Sequence, residues 1–286
     1  MQKPSKRKLL LQQTTASRSK SSKVSSVVEE QGPFPSHPRP TPQDCRAVRD
    51  SLLSFHGFPP QFAHYREQRL HHDGSSLRTQ NSAHDSGGDS ESVLDGLVKA
   101  LLSQNTTEFN SLGAFSNLKS AFPTWEDALA ADKKHIENAI RSGGLAPTKA
   151  SYIKNILTSL LERKGKLCLE YLRDLSTIEI KAELSHFKGI GPKTVACVLM
   201  FNLQRDDFPV DTHVYEIAKS LGWVPYVADR NKTYIHLNQR IPNELKFDLN
   251  CLLYTHGKLC QKCTKKGSNW ERENGCDDSC PLLEYC

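Results

Sequence analysis

The chain has 286 residues, of which 37% are hydrophobic, and a formal net charge of +6. This length accommodates one large domain or two modest ones. No apolar run approaches the roughly 18 residues of a membrane span, so the sequence predicts a soluble protein. Residues 1–28 carry seven Lys/Arg and no acid, which leaves the remainder near −1. A globally basic surface is therefore excluded, and any nucleic-acid site has to be a local patch.

The N-terminal segment, residues 1–42, is rich in Ser, Lys, Gln and Pro, and we expect a disordered basic tail. Basic residues between Lys3 and Lys8 predict nuclear import, whereas the acid-free stretch before Glu29 also fits a mitochondrial or plastid transit peptide. The third alternative is a solvated tail that carries no targeting signal. Leu9 to Leu11 is too short for the apolar core of a signal peptide. The nine cysteines are therefore expected in a reducing compartment, where a metal or cluster site is favoured over disulfides.

The next segment, residues 43–91, is predicted to be a helix and a loop that pack on a C-terminal lobe. Thr41, Pro42 and Asp44 form a helix-start pattern, with a capping hydroxyl, a proline in the first turn and an early acid. Residues 72–92 are rich in Ser, Gly, His and Asp, which predicts a loop.

Helical signals dominate from Ser92 onward. Apolar residues recur at spacings of three and four, Gly and Pro separate the segments, and strand-like alternation is lacking, so the predicted class is all-α. We expect one helical lobe over 92–205 and a second over 206–286. The predicted helices are 93–102, 125–131, 134–140, 149–161, 178–187, 194–203, 214–221 and 245–254.

A short turn between two of these helices has the sequence Lys188-Gly189-Ile190-Gly191-Pro192. Glycine permits conformations closed to other residues, and proline suits the first turn of the following helix. Free amides at such a helix start bind phosphate oxygens. A Gly-x-Gly turn is also a common plain connector, so the turn alone does not decide its function.

Two polar residues near this turn have side chains that are suited to catalysis. Lys193 follows the turn, where the positive helix end disfavours protonation, and a neutral amine is what a Schiff-base nucleophile requires. A solvated surface lysine is the alternative. Asp211, eighteen residues later, opens the next helix. Aspartate is a preferred N-cap, and a cap would also hold the carboxylate in place for catalysis.

Together, Gly-Ile-Gly-Pro-Lys-Thr at 189–194 and Val-Asp-Thr-His at 210–213 resemble the helix-hairpin-helix/Gly-Pro-Asp DNA glycosylases, in particular the endonuclease III branch. Segments 101–108, 140–153 and 255–257 also resemble that branch, so the likeness covers about 92–286. The resemblance implies two helical lobes flanking a cleft that receives a flipped-out nucleotide. It further implies that Lys193 attacks the sugar C1′, and that Asp211 activates the lysine or stabilises positive charge on the sugar.

The resemblance also implies which residues contact DNA, namely Gln104, Asn105, Gly189, Ile190 and Gly191. The glutamine that fills the gap left by the flipped base in that branch aligns with Asn105, while Gln104 stands one place earlier, and either residue could serve.

The expected activity is that of a glycosylase and abasic-site lyase, working as a monomer on oxidised pyrimidines in double-stranded DNA. The alternatives are a methylcytosine glycosylase, as in the DEMETER-like plant enzymes, a mismatch glycosylase, and a non-catalytic DNA-binding scaffold.

The C-terminal cysteines follow the pattern Cys260-x2-Cys263-x12-Cys276-x3-Cys280-x5-Cys286. This pattern resembles the family's Cys-x6-Cys-x2-Cys-x5-Cys, which binds a [4Fe–4S] cluster, although only the last interval matches in length. The resemblance implies Cys260, Cys276, Cys280 and Cys286 as ligands, with Cys263 in reserve. Four thiolates also bind zinc, which is the alternative metal.

Overall fold

A computed structural model of the protein describes residues 32–73, 91–260, 262 and 280–285. Within these residues the chain is helical and contains no strand. The α-helices are α1 (Pro42–His56), α2 (Ala63–Asp73), α3 (Val93–Leu102), α4 (Glu108–Ala121), α5 (Trp125–Ala130), α6 (Lys133–Ala139), α7 (Ala146–Lys164), α8 (Thr177–Ser185), α9 (Pro192–Cys197), α10 (Thr212–Ser220), α11 (Arg230–Arg240) and α12 (Asn243–Leu259). Short 3₁₀ turns lie at Pro60–Phe62, Arg141–Gly143, Glu170–Asp174 and Leu283–Tyr285.

Some predictions fall outside the described residues. They concern residues 1–31 of the tail predicted over 1–42, the loop over residues 74–90, and Cys263, Cys276 and Cys286. The prediction of disorder is wrong for residues 32–41, because Pro40 is buried and the Arg39 carbonyl lies 2.7 Å from His236 Nε2. None of the described helices combines the length and apolarity that crossing a bilayer requires.

The start of α1 confirms the predicted capping pattern. Thr41 Oγ1 accepts the Asp44 amide at 3.1 Å, and Asp44 Oδ2 accepts the Thr41 amide at 2.8 Å. This reciprocal capping box satisfies two amides that the helix itself cannot.

Three helices, α2, α4 and α11, were not among those predicted. In α4 the apolar side chains do not form one stripe, since Phe109 is 86% exposed and Leu112 is 56% exposed whereas Leu118 is buried. Helix α11 is largely polar and buries only Thr233, His236 and Leu237. Periodicity is a weak signal in both cases, and tertiary packing determines the helix.

The predicted helix over 194–203 is interrupted. Helix α9 ends at Cys197, and residues Val198–Asn202 form a π-helical segment, in which the Leu203 amide donates to the Val198 carbonyl at 3.0 Å. Such one-turn π-helical segments occur frequently at functional sites.

Two hydrophobic cores organise the described chain into two lobes, which confirms the predicted architecture. The first core is built from residues 93–203. The second joins α1 to α10, α11 and α12. Helix α1 packs on α12, and Cys45, Val48 and Leu52 are buried in the second core.

A smaller group of side chains lies where the two lobes meet. Met200 comes from the first lobe, Phe247 and Cys251 come from α12, and Phe62 and Phe201 pack against them. The Phe62 and Phe201 rings stack with centroids 5.5 Å apart. We call these five residues the junction cluster.

Candidate active site

A cleft of about 870 Å³ opens between the lobes. The ends of α3 and α9 contribute its first wall, and the start of α10 and the middle of α12 contribute the second. The cleft brings together most of the residues that the sequence singled out, namely Gln104, Asn105, Gly189, Gly191, Lys193 and Asp211.

The turn between α8 and α9 is the predicted hairpin. Gly189 has a φ of 87°, which L side chains rarely adopt, and a Cβ at this position would lie 2.2 Å from the Tyr152 ring. Gly191 is different, because its φ is −95° and a Cβ there would meet no atom within 4 Å. The structure therefore requires glycine at 189 and leaves room for a side chain at 191.

This difference gives a paired prediction. We expect Gly189→Ala to lower the free energy of unfolding by at least ~1–2 kcal/mol, because alanine is strained at positive φ and clashes with Tyr152. Gly191→Ala is expected to cost less than about 1 kcal/mol, yet to weaken duplex DNA binding several-fold, because its methyl group stands where a phosphate approaches the backbone. Denaturant unfolding and fluorescence anisotropy with labelled duplex measure the two effects. Unchanged DNA affinity in Gly191→Ala would make the turn a plain connector.

The backbone amides around the turn are not equivalent. The Ile190 amide donates to the Phe187 carbonyl at 3.1 Å, and the Ile190 side chain is only 7% exposed within the first core. The first intrahelical bond of α9 runs from the Val195 amide to the Gly191 carbonyl at 3.0 Å. The amides of Lys193 and Thr194 in the first turn therefore have no intrahelical acceptor, which makes them better candidates for a phosphate than the amide of Ile190.

Lys193 is exposed at the cleft wall, where an amine can reach a substrate. Its pKa lies above the ordinary lysine value; the largest cause is the Coulomb interaction with Cys197 in its ionised form, which desolvation of the ammonium opposes and the Asp211 carboxylate reinforces. Desolvation also raises the pKa of Cys197 despite the nearby Lys193 ammonium, so this residue is a thiol at neutral pH. At neutral pH, where Cys197 carries no charge, the Asp211 carboxylate is the neighbour that favours the ammonium, and desolvation favours the neutral amine.

Asp211 is the N-cap of α10, and its Oδ1 accepts the Val214 amide at 2.8 Å. The carboxylate also interacts electrostatically with Lys193 across the cleft. The capping and catalytic interpretations of Asp211 are therefore compatible, because the cap fixes a carboxylate that interacts electrostatically with the amine.

Hydrogen bonding distinguishes Gln104 from Asn105. Gln104 Nε2 donates to the Gly189 carbonyl at 3.0 Å and to Thr194 Oγ1 at 3.1 Å, which ties the end of α3 to the hairpin. Asn105 is exposed and has a φ of 51°. Asn105 thus lies at the surface, whereas the Gln104 side chain is hydrogen-bonded within the protein.

Two residues of this region have properties that the sequence interpretation missed. Leu145 is 54% exposed with a φ of 51°, an unusual combination for a branched apolar residue. Cys197, one helical turn after Lys193, lines the cleft and interacts electrostatically with the lysine amine. The Lys193-x3-Cys197 spacing on a predicted helix is the signal that could have found the second of these.

A separate group of potential metal ligands lies at the C-terminal end of α12. One ligand atom each from His256, Cys260 and Cys280 lies within 4.8 Å of the other two. His256 Nε2 is 3.6 Å from Cys280 Sγ, and its Nδ1 is 2.9 Å from His56 Nε2 of α1. The fold therefore brings together two of the predicted cysteine ligands across twenty residues of sequence and adds a buried histidine to them.

Comparison with known proteins gives consistent matches. The family model described as HhH-GPD superfamily base excision DNA repair protein matches residues 98–243. A putative DNA glycosylase of Arabidopsis thaliana is 58% identical over all of this chain and 98% of its own length. The DNA glycosylase/AP lyase ROS1 of Arabidopsis thaliana is 31% identical over 57% of this chain and 12% of its own length. A trapped endonuclease III–DNA covalent intermediate superposes with a TM-score of 0.60 at 21% identity, covering 86% of this chain and 96% of that one. This structural likeness shows a shared fold.

Proposed function

Because the chain belongs to the HhH-GPD superfamily of base excision DNA repair proteins and is a DNA glycosylase, we propose that it is also an abasic-site lyase acting on oxidised pyrimidines. In this proposal Lys193 is the nucleophile and Asp211 its acidic partner. The observation that carries the proposal is the solvent-accessible amine of Lys193 in the cleft, within the electrostatic reach of a carboxylate that a helix cap holds fixed.

The proposed reaction begins with a proton transfer. The Lys193 ammonium first loses a proton, for which the Asp211 carboxylate is the nearby acceptor. The amine attacks C1′, and the bond from C1′ to the base breaks with its electron pair leaving on the base, which takes up a proton. Opening of the sugar ring gives a Schiff base between Lys193 and C1′. Loss of a proton from C2′ then expels the 3′ phosphate by β-elimination.

The nucleotide has to leave the helix before this chemistry, because C1′ is inaccessible in the base stack. We propose that Asn105 occupies the gap left by the flipped base and that Leu145 enters the duplex beside it. Both residues are exposed on turns with left-handed backbone conformation. Gln104, whose side chain is bound to the hairpin, holds the Asn105 turn against α9.

A panel of duplexes tests the substrate. The purified protein is incubated with double-stranded DNA containing thymine glycol, 5-hydroxycytosine, 5-methylcytosine, a thymine–guanine mismatch or an abasic site, and base release and strand scission are followed separately. Cleavage of the first two lesions and of the abasic site supports the proposal. Selective action on 5-methylcytosine or on the mismatch favours the corresponding alternative. Base release without scission on every duplex contradicts the lyase assignment.

We propose a [4Fe–4S] cluster at the C-terminal end of α12. Such clusters are held by cysteine thiolates, and the convergence of Cys260 with Cys280 fits that requirement. The predicted ligands Cys276 and Cys286 lie outside the described residues. Zinc stays the alternative, because imidazole and thiolate together also suit zinc, and His256 is adjacent. When bound, either metal would organise the C-terminal segment and would take no part in the reaction at C1′.

Substitution of single cysteines gives a prediction for this site. We expect Cys260→Ser to lose most of the bound metal, whereas Cys263→Ser retains it, because the fold places Cys260 beside Cys280. Absorbance near 400 nm with iron, sulfide and zinc assays on the purified proteins measures the metal and identifies it. The opposite pattern, in which only Cys263→Ser loses metal, would make Cys263 the first ligand.

A nuclear location is proposed from the DNA-directed activity together with the basic patch between Lys3 and Lys8. Mitochondrial or plastid import is the competing outcome. The location of a fluorescent fusion of the chain is compared with that of a variant in which Lys6, Arg7 and Lys8 are alanine. This comparison distinguishes nuclear import from mitochondrial or plastid import.

A further inference from the structure

The two proposed DNA-contacting tips belong to adjacent turns. Asn105 lies three residues after the end of α3, and Leu145 lies two residues after the Arg141–Gly143 turn. The turns approach each other, since a Cβ at Gly144 would be 4.0 Å from the Asn105 carbonyl oxygen. Among the described residues other than glycine, Asn105, Leu145 and Gln204 have a positive φ. Two of these three positions, Asn105 and Leu145, therefore form one small surface, of which Asn105 lines the cleft.

A buried cation lies directly beneath this surface. Lys149 of α7 is only 2% exposed, and its Nζ donates to the Leu102 carbonyl and to the Gly143 carbonyl, each at 2.8 Å. Leu102 ends α3 and Gly143 ends the 3₁₀ turn, so one amine binds the backbone three residues before Asn105 and two residues before Leu145.

The chemistry of this contact favours a cation. The amine binds two backbone carbonyls, and the one from α3 stands at the negative end of a helix. Hydrogen bonds from a charged donor are roughly twice as strong as those between neutral groups. Burial lowers the pKa of Lys149, which is the cost of placing the charge here. An apolar side chain of similar length would fill the same space without that cost, but it would leave the two carbonyls without this shared donor.

We propose that Lys149 is a positioning residue that fixes the separation of Asn105 and Leu145, so that both tips enter double-stranded DNA as one rigid unit. This inference rests on the proposed function of the two tips. Lys149 acts on the flipping of the nucleotide and touches neither the sugar nor the base. Its loss therefore slows reactions that require a duplex to be opened and spares those in which the nucleotide is already unstacked.

The test compares Lys149→Met with Lys154→Met. Lys154 lies on the same helix and also donates to two backbone carbonyls, of Leu129 and Ala131, away from the two tips. Single-turnover rates are measured on the same abasic site in duplex and in single-stranded DNA. We expect Lys149→Met to slow the duplex reaction between ~10- and ~100-fold and to leave the single-stranded reaction within about threefold of wild type. Lys154→Met is expected to leave the ratio of the two rates unchanged.

A second measurement does not depend on chemistry. A 2-aminopurine opposite the abasic site reports unstacking by its fluorescence, and Lys149→Met should give a smaller increase on binding than the wild type. If Lys149→Met does not fold, as judged by its thermal unfolding, Lys149→Gln retains a donor for one carbonyl and enters the same comparison. Equal losses on both DNAs, or no loss on either, overturn the proposal. A wild type that unstacks the duplex without cleaving either DNA refutes the proposed lyase function but not the role of Lys149.

Discussion

Lys193→Gln is expected to abolish the covalent adduct with abasic-site DNA under borohydride, and to lower strand scission by roughly 10⁴-fold or more. The reason is that glutamine has no nucleophilic lone pair to form an imine with C1′, although its length preserves the packing of the cleft wall. Adduct formation is measured as a shifted band in denaturing gels, and scission by single-turnover cleavage of labelled duplex.

Lys188→Gln is the matched control, because Lys188 is exposed on the same hairpin but does not line the cleft. This variant loses the same formal charge and should form the adduct as wild type does. An equal loss in both variants would indicate that the hairpin needs positive charge for DNA binding and that Lys193 is not the nucleophile. Wild-type trapping in Lys193→Gln would exclude the lyase assignment directly.

The second large effect is expected at Asp211, where capping and catalysis can be separated. Asparagine is as good an N-cap as aspartate, so Asp211→Asn should unfold near the wild-type temperature. Asparagine lacks the negative charge that accepts a proton or stabilises a cationic sugar. The single-turnover rate of DNA cleavage by Asp211→Asn should therefore fall by roughly 10²–10⁴-fold.

Asp211→Ala provides the comparison, because it removes both functions of the side chain. Its unfolding free energy should be lower by about 1 kcal/mol, since the Val214 amide loses its acceptor, while its rate should be no higher than that of Asp211→Asn. Calorimetry and single-turnover cleavage give the two quantities. If Asp211→Asn cleaves as fast as wild type while Asp211→Ala is slow, Asp211 is a structural cap and the acid lies elsewhere.

The parts of this site that depend on local structure can be predicted from the sequence. Gly189 and Pro192 predict the hairpin because each favours a particular backbone conformation, and Asp211 predicts a helix start for the same kind of reason. The apolar spacing that predicts α3 and α12 reflects burial of one helix face, so α3 is found with its observed boundaries, whereas the helix predicted over 245–254 ends five residues before α12 does.

Properties that depend on distant contacts could not be predicted in the same way. Lys149 is indistinguishable in sequence from a surface lysine, and only the meeting of α3, α7 and the 3₁₀ turn reveals its burial. The choice between Gln104 and Asn105 likewise depends on Gly189, which lies more than eighty residues away in the chain. The pKa of Lys193 depends on Cys197 and Asp211, which a helix-end argument does not include.

The proposed nucleophile and its acid belong to different lobes, and the junction cluster lies where those lobes meet. In this arrangement, the residues that keep the protein folded differ from the residues that fix the relative position of its catalytic groups. A substitution at Phe201 or Phe247 can leave both large cores intact and still change the distance from Lys193 to Asp211. The resulting protein would be well expressed and yet a poor catalyst, so surveys of variants that score abundance alone would class it as harmless.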